Sequence, residues 1–250
     1  MQNELMRHCI EGVIVLPTAL MNLGALTFME RVQKNFIEAE RWSQYLNGLK
    51  VTLMVSLMAV LLGIVLGVIL ALMRLSKNKV LSGISGLYID VIRGTPMVVQ
   101  LMIFYFVLLG PTTRLDKTVI AAIAFGCNSG AYVAEIVRAG ILSIDKGQTE
   151  AGRSLGLNEV MTLRYIVLPQ AFKNILPALG NELIVLIKET SILGYIGVVD
   201  LARVGEQIRA RTLDAFMPLI AVAIVYYVIV KLLSFLLQKL ERRMRAGDQR

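Results

Sequence analysis

The sequence predicts an all-α membrane protein: a polytopic helical bundle with five transmembrane helices and a cytoplasmic helix-turn-helix loop. Of the 250 residues, 56% are hydrophobic and only 18% are charged, and the mean hydropathy is +0.67. A soluble chain of this size carries more charge. Five apolar stretches approach or exceed the roughly 20 residues that a spanning helix needs. A polar stretch, 147–171, separates the third from the fourth.

The first 45 residues are the least regular part of the sequence. Residues 12–28 are apolar but too few for a full span, and Pro17 and Asn22 interrupt them. We therefore expect a peripheral or interfacial segment, with a sixth span as the alternative. Residues 30–45 are charged and amphipathic and contain aromatic residues, which favours a helix at the membrane interface.

The first span is predicted at residues 51–75. Small residues recur there every three to four positions, and Gly63 and Gly67 form a GxxxG pair. Such a pair permits two membrane helices to pack closely. Arg74 and Lys77 follow the span and mark a cytoplasmic loop.

The second span is predicted at residues 87–109. Pro96 has no N–H with which to bond the carbonyl of Ile92, so we expect a kink at this point. Asp90 and Arg93 lie one helical turn apart, and we expect them to form an ion pair near the cytoplasmic face.

Spans three and four, at 118–141 and 174–198, carry polar residues at regular positions. In span three, steps of four and three place Asn128, Tyr132 and Glu135 on one helical face. In span four, polar residues recur at intervals of seven, nearly two helical turns, and predict one wet stripe along the helix. The stripe comprises Asn174, Asn181, Lys188, Glu182 and Glu189.

Two interpretations of these polar residues stay open. Ionisable groups inside a membrane are costly, so the stripe on span four should face a partner helix or a water-filled path. A transport pathway is one reading, and a purely structural network between helices is the other. Glu135 and Arg138 can also anchor the end of span three at the interface.

The polar stretch 147–171 is predicted to fold as two short helices. Residues 148–155 form the first, and Gly156 suits its end because glycine accepts a positive φ without a Cβ clash. Asn158 can cap the second helix, with Glu159 in its first turn.

The second of these helices has an apolar face. Val160, Leu163 and Val167 recur at i, i+3 and i+7, and Pro169 lacks an amide donor and is expected to close the unit. A helical projection with an apolar ridge between membrane spans is suited to contact a soluble partner.

The loop resembles a known motif. Glu150-Ala151-Gly152, three residues, Gly156, nine residues and then Ile166 to Pro169 are similar to the EAA loop of ABC-importer permease subunits. In that family the loop forms coupling helices that sit in a groove of a cytoplasmic ATPase. Gly152 stands where the family usually has a second alanine, which should loosen the first helix slightly, and Asp145 stands where proline is frequent. The resemblance implies the ATPase-coupling residues Glu150, Ala151, Gly152, Arg153, Gly156, Glu159, Ile166 and Pro169.

Other stretches resemble the branch of this family that imports polar amino acids of the histidine, glutamine, glutamate, arginine and opine group. They are residues 88–96, residues 128–138 and Lys188-Glu189-Thr190-Ser191, within a resemblance that covers about residues 45–240. The substrate-pathway residues expected from polar patterning and from this resemblance are Asn128, Tyr132, Glu135, Asn181, Glu182, Lys188, Glu189 and Thr190.

The resemblance also implies partners. The sequence has no G-x-x-x-x-G-K-[ST] phosphate loop, so the chain is not expected to be the ATPase. The resemblance implies that the chain has no cofactor of its own and that ATP and Mg²⁺ bind the partner ATPase. Expected partners are a cytoplasmic ATPase dimer, a second permease subunit (the same chain or a paralogue), an extracytoplasmic solute-binding protein, a polar amino acid and the lipid bilayer. Nucleic acid is not expected, because no basic cluster is interleaved with exposed aromatic residues.

Positive charges predict the orientation in the bacterial cytoplasmic membrane. Thirteen Lys and Arg residues lie at 74–79, 138–173 and 239–250, against five at 111–117 and 203–211. The excess places the loop and the C-terminus in the cytoplasm and, with five spans, the N-terminus outside. The expected organisation is an N-terminal segment, 1–45, a permease domain, 46–240, with the coupling loop at 145–172, and a basic tail, 241–250.

Two other functions compete with this interpretation. A secondary transporter driven by an ion gradient would take up substrate without ATP and would have no use for the loop. An intramembrane enzyme would need a nucleophile with its base, paired aspartates or a metal set. The only histidine is His8, the cysteines Cys9 and Cys127 lie far apart, and no H-E-x-x-H motif occurs.

Overall fold

The computed structural model describes residues 27–245, and this part of the chain is helical and contains no strand. The helices are α1 (Phe28–Val32), α2 (Arg41–Leu75), α3 (Lys79–Arg93), α4 (Met97–Ile103), α5 (Lys117–Leu142), α6 (Lys146–Ser154), α7 (Glu159–Thr162), α8 (Leu168–Glu189), α9 (Leu201–Thr212) and α10 (Phe216–Arg245). A widened, π-type turn, Phe104–Leu109, extends α4, and another, Leu163–Val167, joins α7 to α8. A 3₁₀ segment, Thr190–Ile196, follows α8.

Three helices of the described chain, α2, α5 and α10, are long and apolar enough to cross a membrane, and they contain the predicted spans one, three and five. A fourth is reached if α3 and the extended α4 together form one broken span. The predicted span four falls mainly on α8. This helix is continuous, but charged residues interrupt its apolar sequence, namely Lys173, Glu182, Lys188 and Glu189. The helical membrane bundle is therefore confirmed, and the count of five spans stays a prediction.

The centre of the bundle is the close contact between α2 and α5. A Cβ added to Gly67 would lie 2.5 Å from the Cβ of Val133, and one added to Gly63 would lie 2.7 Å from the Ser129 Oγ. These distances are shorter than real side chains allow, so the close packing predicted from the GxxxG pair is confirmed. The fit is reciprocal, because Gly126 on α5 faces Leu62 of α2 in the same way.

The helix is interrupted between α3 and α4, where only a kink was predicted. The two helices meet at 106°. Gly94 ends α3 by donating its N–H to the Asp90 carbonyl (2.9 Å), and Pro96 precedes α4 in an extended conformation. The predicted Asp90–Arg93 ion pair is absent from the described residues; the Arg93 guanidinium instead lies 5.3 Å from the centroid of the Tyr132 ring.

The N-terminal segment packs on the bundle just after α1, in the turn Gln33–Ile37. The single interfacial helix predicted over 30–45 does not form, because Ala39 and Glu40 have positive φ angles and separate α1 from α2. The buried Asn35 amide donates to the Asp214 carboxylate (3.0 Å), and Phe36 stacks on Tyr45. The apolar stretch at 12–28 lies almost wholly outside the described residues.

Candidate functional site

The first loop helix, α6, has defined caps at both ends. The Asp145 carboxylate accepts the Gly147 N–H (2.6 Å) at its start. At its end Gly156 has φ +83°, its N–H donates to the Arg153 carbonyl (3.0 Å), and the Leu157 N–H reaches back to the Gly152 carbonyl (3.1 Å). This pair of bonds is the Schellman motif that ends many helices on glycine. The predicted stop at Gly156 is confirmed.

The second loop helix begins as predicted but does not end as predicted. Asn158 caps α7 by accepting the Met161 N–H (2.9 Å). From α7 the chain stays helical through the widened turn and the whole of α8. Pro169 lies just after the widened turn, and the helix continues past it, so the prediction that Pro169 closes the unit is wrong. The second loop helix and the membrane helix α8 are one continuous element.

Gly152 allows the two loop helices to approach each other. It is buried, and a Cβ there would lie 2.6 Å from the Ile166 Cδ1 and 3.0 Å from the Thr162 Cγ2. Gln170 adds a polar contact by donating to the Gln148 side-chain oxygen (3.3 Å). The loop is thus a packed pair of helices.

The outer surface of this pair is apolar at its tip and charged around it. Leu155 is 81% exposed and Val160 is 72% exposed, and Leu163 is exposed as well. Val167, predicted on the same ridge, is only 7% exposed, because the continuous helix turns it toward the bundle; that part of the prediction is wrong. The charged or small residues Glu150, Ala151, Arg153 and Glu159 are also exposed.

One ion pair connects the loop to its neighbour in the fold. Lys77, between α2 and α3, lies with its Nζ 3.1 Å from a carboxylate oxygen of Glu159. Both side chains are largely exposed, so the pair contributes little stability.

The predicted pathway residues fall into separate groups. On α8, Glu182 is 8% exposed and accepts a hydrogen bond from the Ser129 hydroxyl of α5 (2.8 Å). Asn128, beside Ser129, donates to the Gln100 side-chain oxygen (3.0 Å). Glu135 pairs with Arg138 (2.8 Å) on the same helix, in keeping with the anchoring alternative.

The single wet stripe predicted on α8 is not formed. Asn174, Asn181 and Lys188 are exposed, whereas Glu182 is buried and Glu189 is partly buried. Neighbouring residues of a helix point about 100° apart, so residues 181 and 182 lie on different faces even though a polar residue recurs seven positions after each of them.

Thr190 is buried and donates its hydroxyl to the Ile187 carbonyl (2.8 Å). Tyr132 lies apart from these groups, beneath Arg93.

The sequence-based site omits Gln100 and Ser129, which the structure places at the centre of these contacts. A polar side chain four residues after Pro96 in an apolar stretch was the available signal for Gln100. For Ser129 the signal was weaker, because serine is common in membrane helices as a packing residue.

Comparison with known proteins identifies the family and the fold of the chain. A family model described as the inner membrane component of binding-protein-dependent transport systems matches residues 63–246, more than half of the chain. The chain belongs to this family. It is a membrane-spanning permease subunit of a binding-protein-dependent importer of the ABC class, located in the inner membrane.

Relatives of known function are transport permeases. The arginine transport system permease protein of Bacillus subtilis (strain 168) is 43% identical over 206 residues, 81% of this chain and 93% of that protein. The glutamine transport system permease protein of Escherichia coli (strain K12) is 48% identical over 162 residues, 63% of this chain and 73% of that protein.

Two solved structures of ABC transporters have the same fold as this chain. An amino acid ABC transporter crystallised with histidines is 41% identical, with a TM-score of 0.80, and the match covers 87% of this chain and 99% of the other. The inward-facing MetNI methionine ABC transporter, 19% identical with a TM-score of 0.70 over 83% of this chain and 99% of its own, shares the fold.

Proposed function

We propose that this permease moves a polar amino acid across the cytoplasmic membrane and that ATP hydrolysis on a separate subunit drives the movement through the α6–α7 loop. The observation that carries the proposal is the loop itself: a capped helix pair with an exposed apolar tip at Leu155 and Val160 and charged residues around it. Exposed apolar groups on a polar projection mark a protein contact. The similarity of the chain to an arginine permease and a glutamine permease supports the substrate class.

The continuity of α7 and α8 supplies a physical route from loop to membrane. When ATP closes the partner ATPases, the two loops of a permease pair move with them. Because α7 runs into α8 without a break, that movement reaches Glu182 and Glu189 inside the bundle. The bundle then rocks between inward-facing and outward-facing states around a central site.

The assembly that this mechanism requires contains more than the present chain. It comprises a second permease subunit, an ATPase dimer that holds ATP and Mg²⁺, and an external solute-binding protein that delivers the amino acid. The loop and the C-terminus face the cytoplasm, as the distribution of positive charge favours. Residues proposed to line the path are Asn128, Tyr132, Glu135, Asn181, Glu182, Lys188, Glu189 and Thr190.

Uptake into proteoliposomes tests this proposal. The full complex, purified from its native membranes, is reconstituted with its binding protein outside, ATP inside, and labelled arginine, glutamine or cystine as the probe. We expect accumulation of one of these amino acids that requires both ATP and the binding protein. Accumulation driven by an ion gradient without ATP would contradict the proposal and favour a secondary transporter.

A further inference from the structure

The break between α3 and α4 leaves backbone carbonyl groups without their usual helical donors. Pro96 has no N–H, and the helix ends at Gly94. The carbonyls of Ile92 and Thr95 therefore need other partners, because an unpaired backbone group away from water costs about as much as a lost hydrogen bond.

A single buried side chain supplies those partners. The amide nitrogen of Gln100, a residue only 6% exposed, lies 2.7 Å from the Ile92 carbonyl oxygen, 3.1 Å from the Thr95 carbonyl oxygen and 2.7 Å from the Thr95 hydroxyl. The Thr95 hydroxyl in turn donates to the Val91 carbonyl (3.0 Å). Gln100 thus holds the end of α3 against the start of α4 at the observed angle.

The other end of the same side chain binds α5. The Gln100 side-chain oxygen accepts the Asn128 amide (3.0 Å). The next residue of α5, Ser129, donates to Glu182 of α8 (2.8 Å). Side-chain hydrogen bonds therefore run from the α3–α4 break across α5 to α8, the helix that continues from the coupling loop.

We propose that Gln100 is a positioning residue for transport: it fixes the α3–α4 break and joins it to α5 through Asn128, so that a displacement of α8 carries the break with it. The proposal rests on the transport function proposed above. Gln100 contacts other protein groups and acts through them; it is not assigned a contact with the substrate. Each buried hydrogen bond that is lost corresponds to roughly a fivefold to tenfold change in an equilibrium.

The substitution Gln100→Met tests this role, because methionine has a similar length and flexibility but cannot make these hydrogen bonds. Gln238→Met is the matched control: Gln238 is exposed on α10, far along the chain from the break. In the reconstituted complex with ATPase and binding protein, we expect Gln100→Met to lower maximal amino-acid uptake about tenfold while the KM changes by less than about twofold. Gln238→Met should leave both values unchanged.

A double substitution separates positioning from a general loss of stability. If Gln100 acts through Asn128, Gln100→Met combined with Asn128→Leu should lower uptake by little more than either change alone. Normal uptake by Gln100→Met, or losses that simply multiply in the double variant, would overturn the proposal. If Gln100→Met prevented assembly, Asn128→Leu would cut the same link from α5, and normal uptake by that variant would overturn it equally.

If the proposed transport function is wrong, the unaltered complex itself will show no amino-acid uptake, which differs from a loss confined to the Gln100 variant. The role of Gln100 is then measured by the stimulation of ATP hydrolysis by the binding protein in the assembled complex, where Gln100→Met should reduce the stimulation and Gln238→Met should not.

Discussion

Gly156 determines the shape of the turn between α6 and α7. Its φ of +83° lies in the left-handed region, and no neighbouring atom would contact an added Cβ. A side chain at this position therefore strains its own backbone but does not clash with neighbouring residues. This separation makes the position a clean test of whether the turn matters.

Gly156→Val should deform the turn, because a β-branched residue at this φ costs about 1–3 kcal/mol. Since about 1.4 kcal/mol is a factor of ten, we expect ATPase association and transport to fall together, about fivefold or more, while membrane insertion persists. Gly156→Asn is the matched control, because asparagine tolerates the left-handed conformation. Co-purification of the ATPase and uptake measure both effects. Equal transport by the two variants would refute this account of the turn.

At the element scale, local chemistry predicted helix ends better than helix continuity. The stop at Gly156 and the cap at Asn158 depend on backbone conformation and on one short side chain each, so the sequence was sufficient for both. Pro169 and Pro96 were harder to interpret. Pro169 lies near the start of α8 without ending the helix, whereas Pro96 lies at the 106° break between α3 and α4. The difference depends on the surrounding contacts, such as those of Gln100.

The same contrast holds for the polar residues within the membrane helices. The sequence predicted which helices carry polar groups, and it identified Glu182 and Asn128 as candidates. It did not reveal that Glu182 binds Ser129, or that Asn128 binds Gln100, because hydrogen-bond partners on other helices depend on rotation and register. Faces of α8 that seemed equivalent in a seven-residue repeat have different environments in the bundle.

The contact between α2 and α5 gives a prediction about packing. Gly67→Ala would place a methyl group 2.5 Å from Val133, and overpacking of this kind typically costs about 1–3 kcal/mol. We expect a loss of about 2–4 °C in apparent Tm in mild detergent per kcal/mol lost. Gly83→Ala on α3 is the same substitution with no atom within 4 Å of the new Cβ, and it should leave the Tm unchanged or raise it slightly. Equal Tm values for the two variants would contradict the close approach of α2 and α5.

At the scale of the whole molecule, apolar surface and charge are segregated. The most apolar window of α10 has no buried residue, so this helix presents its side chains to lipid or to another subunit. Positive charge is concentrated at the ends of spans on the side that carries the coupling loop. That arrangement favours the proposed orientation, in which the exposed apolar tip of the loop lies in the compartment that contains ATP.

Site-specific photo-crosslinking can establish whether the α6–α7 loop contacts the ATPase. A photoreactive amino acid is placed at Leu155 or Val160, and at Leu72 on the exposed surface of α2 as the control. The chain is irradiated in its native membranes, purified and analysed by mass spectrometry. We expect adducts with a phosphate-loop ATPase from positions 155 and 160 and none from position 72. Loop positions that yield no ATPase adduct while the intact complex still co-purifies would contradict a contact between the loop and the ATPase.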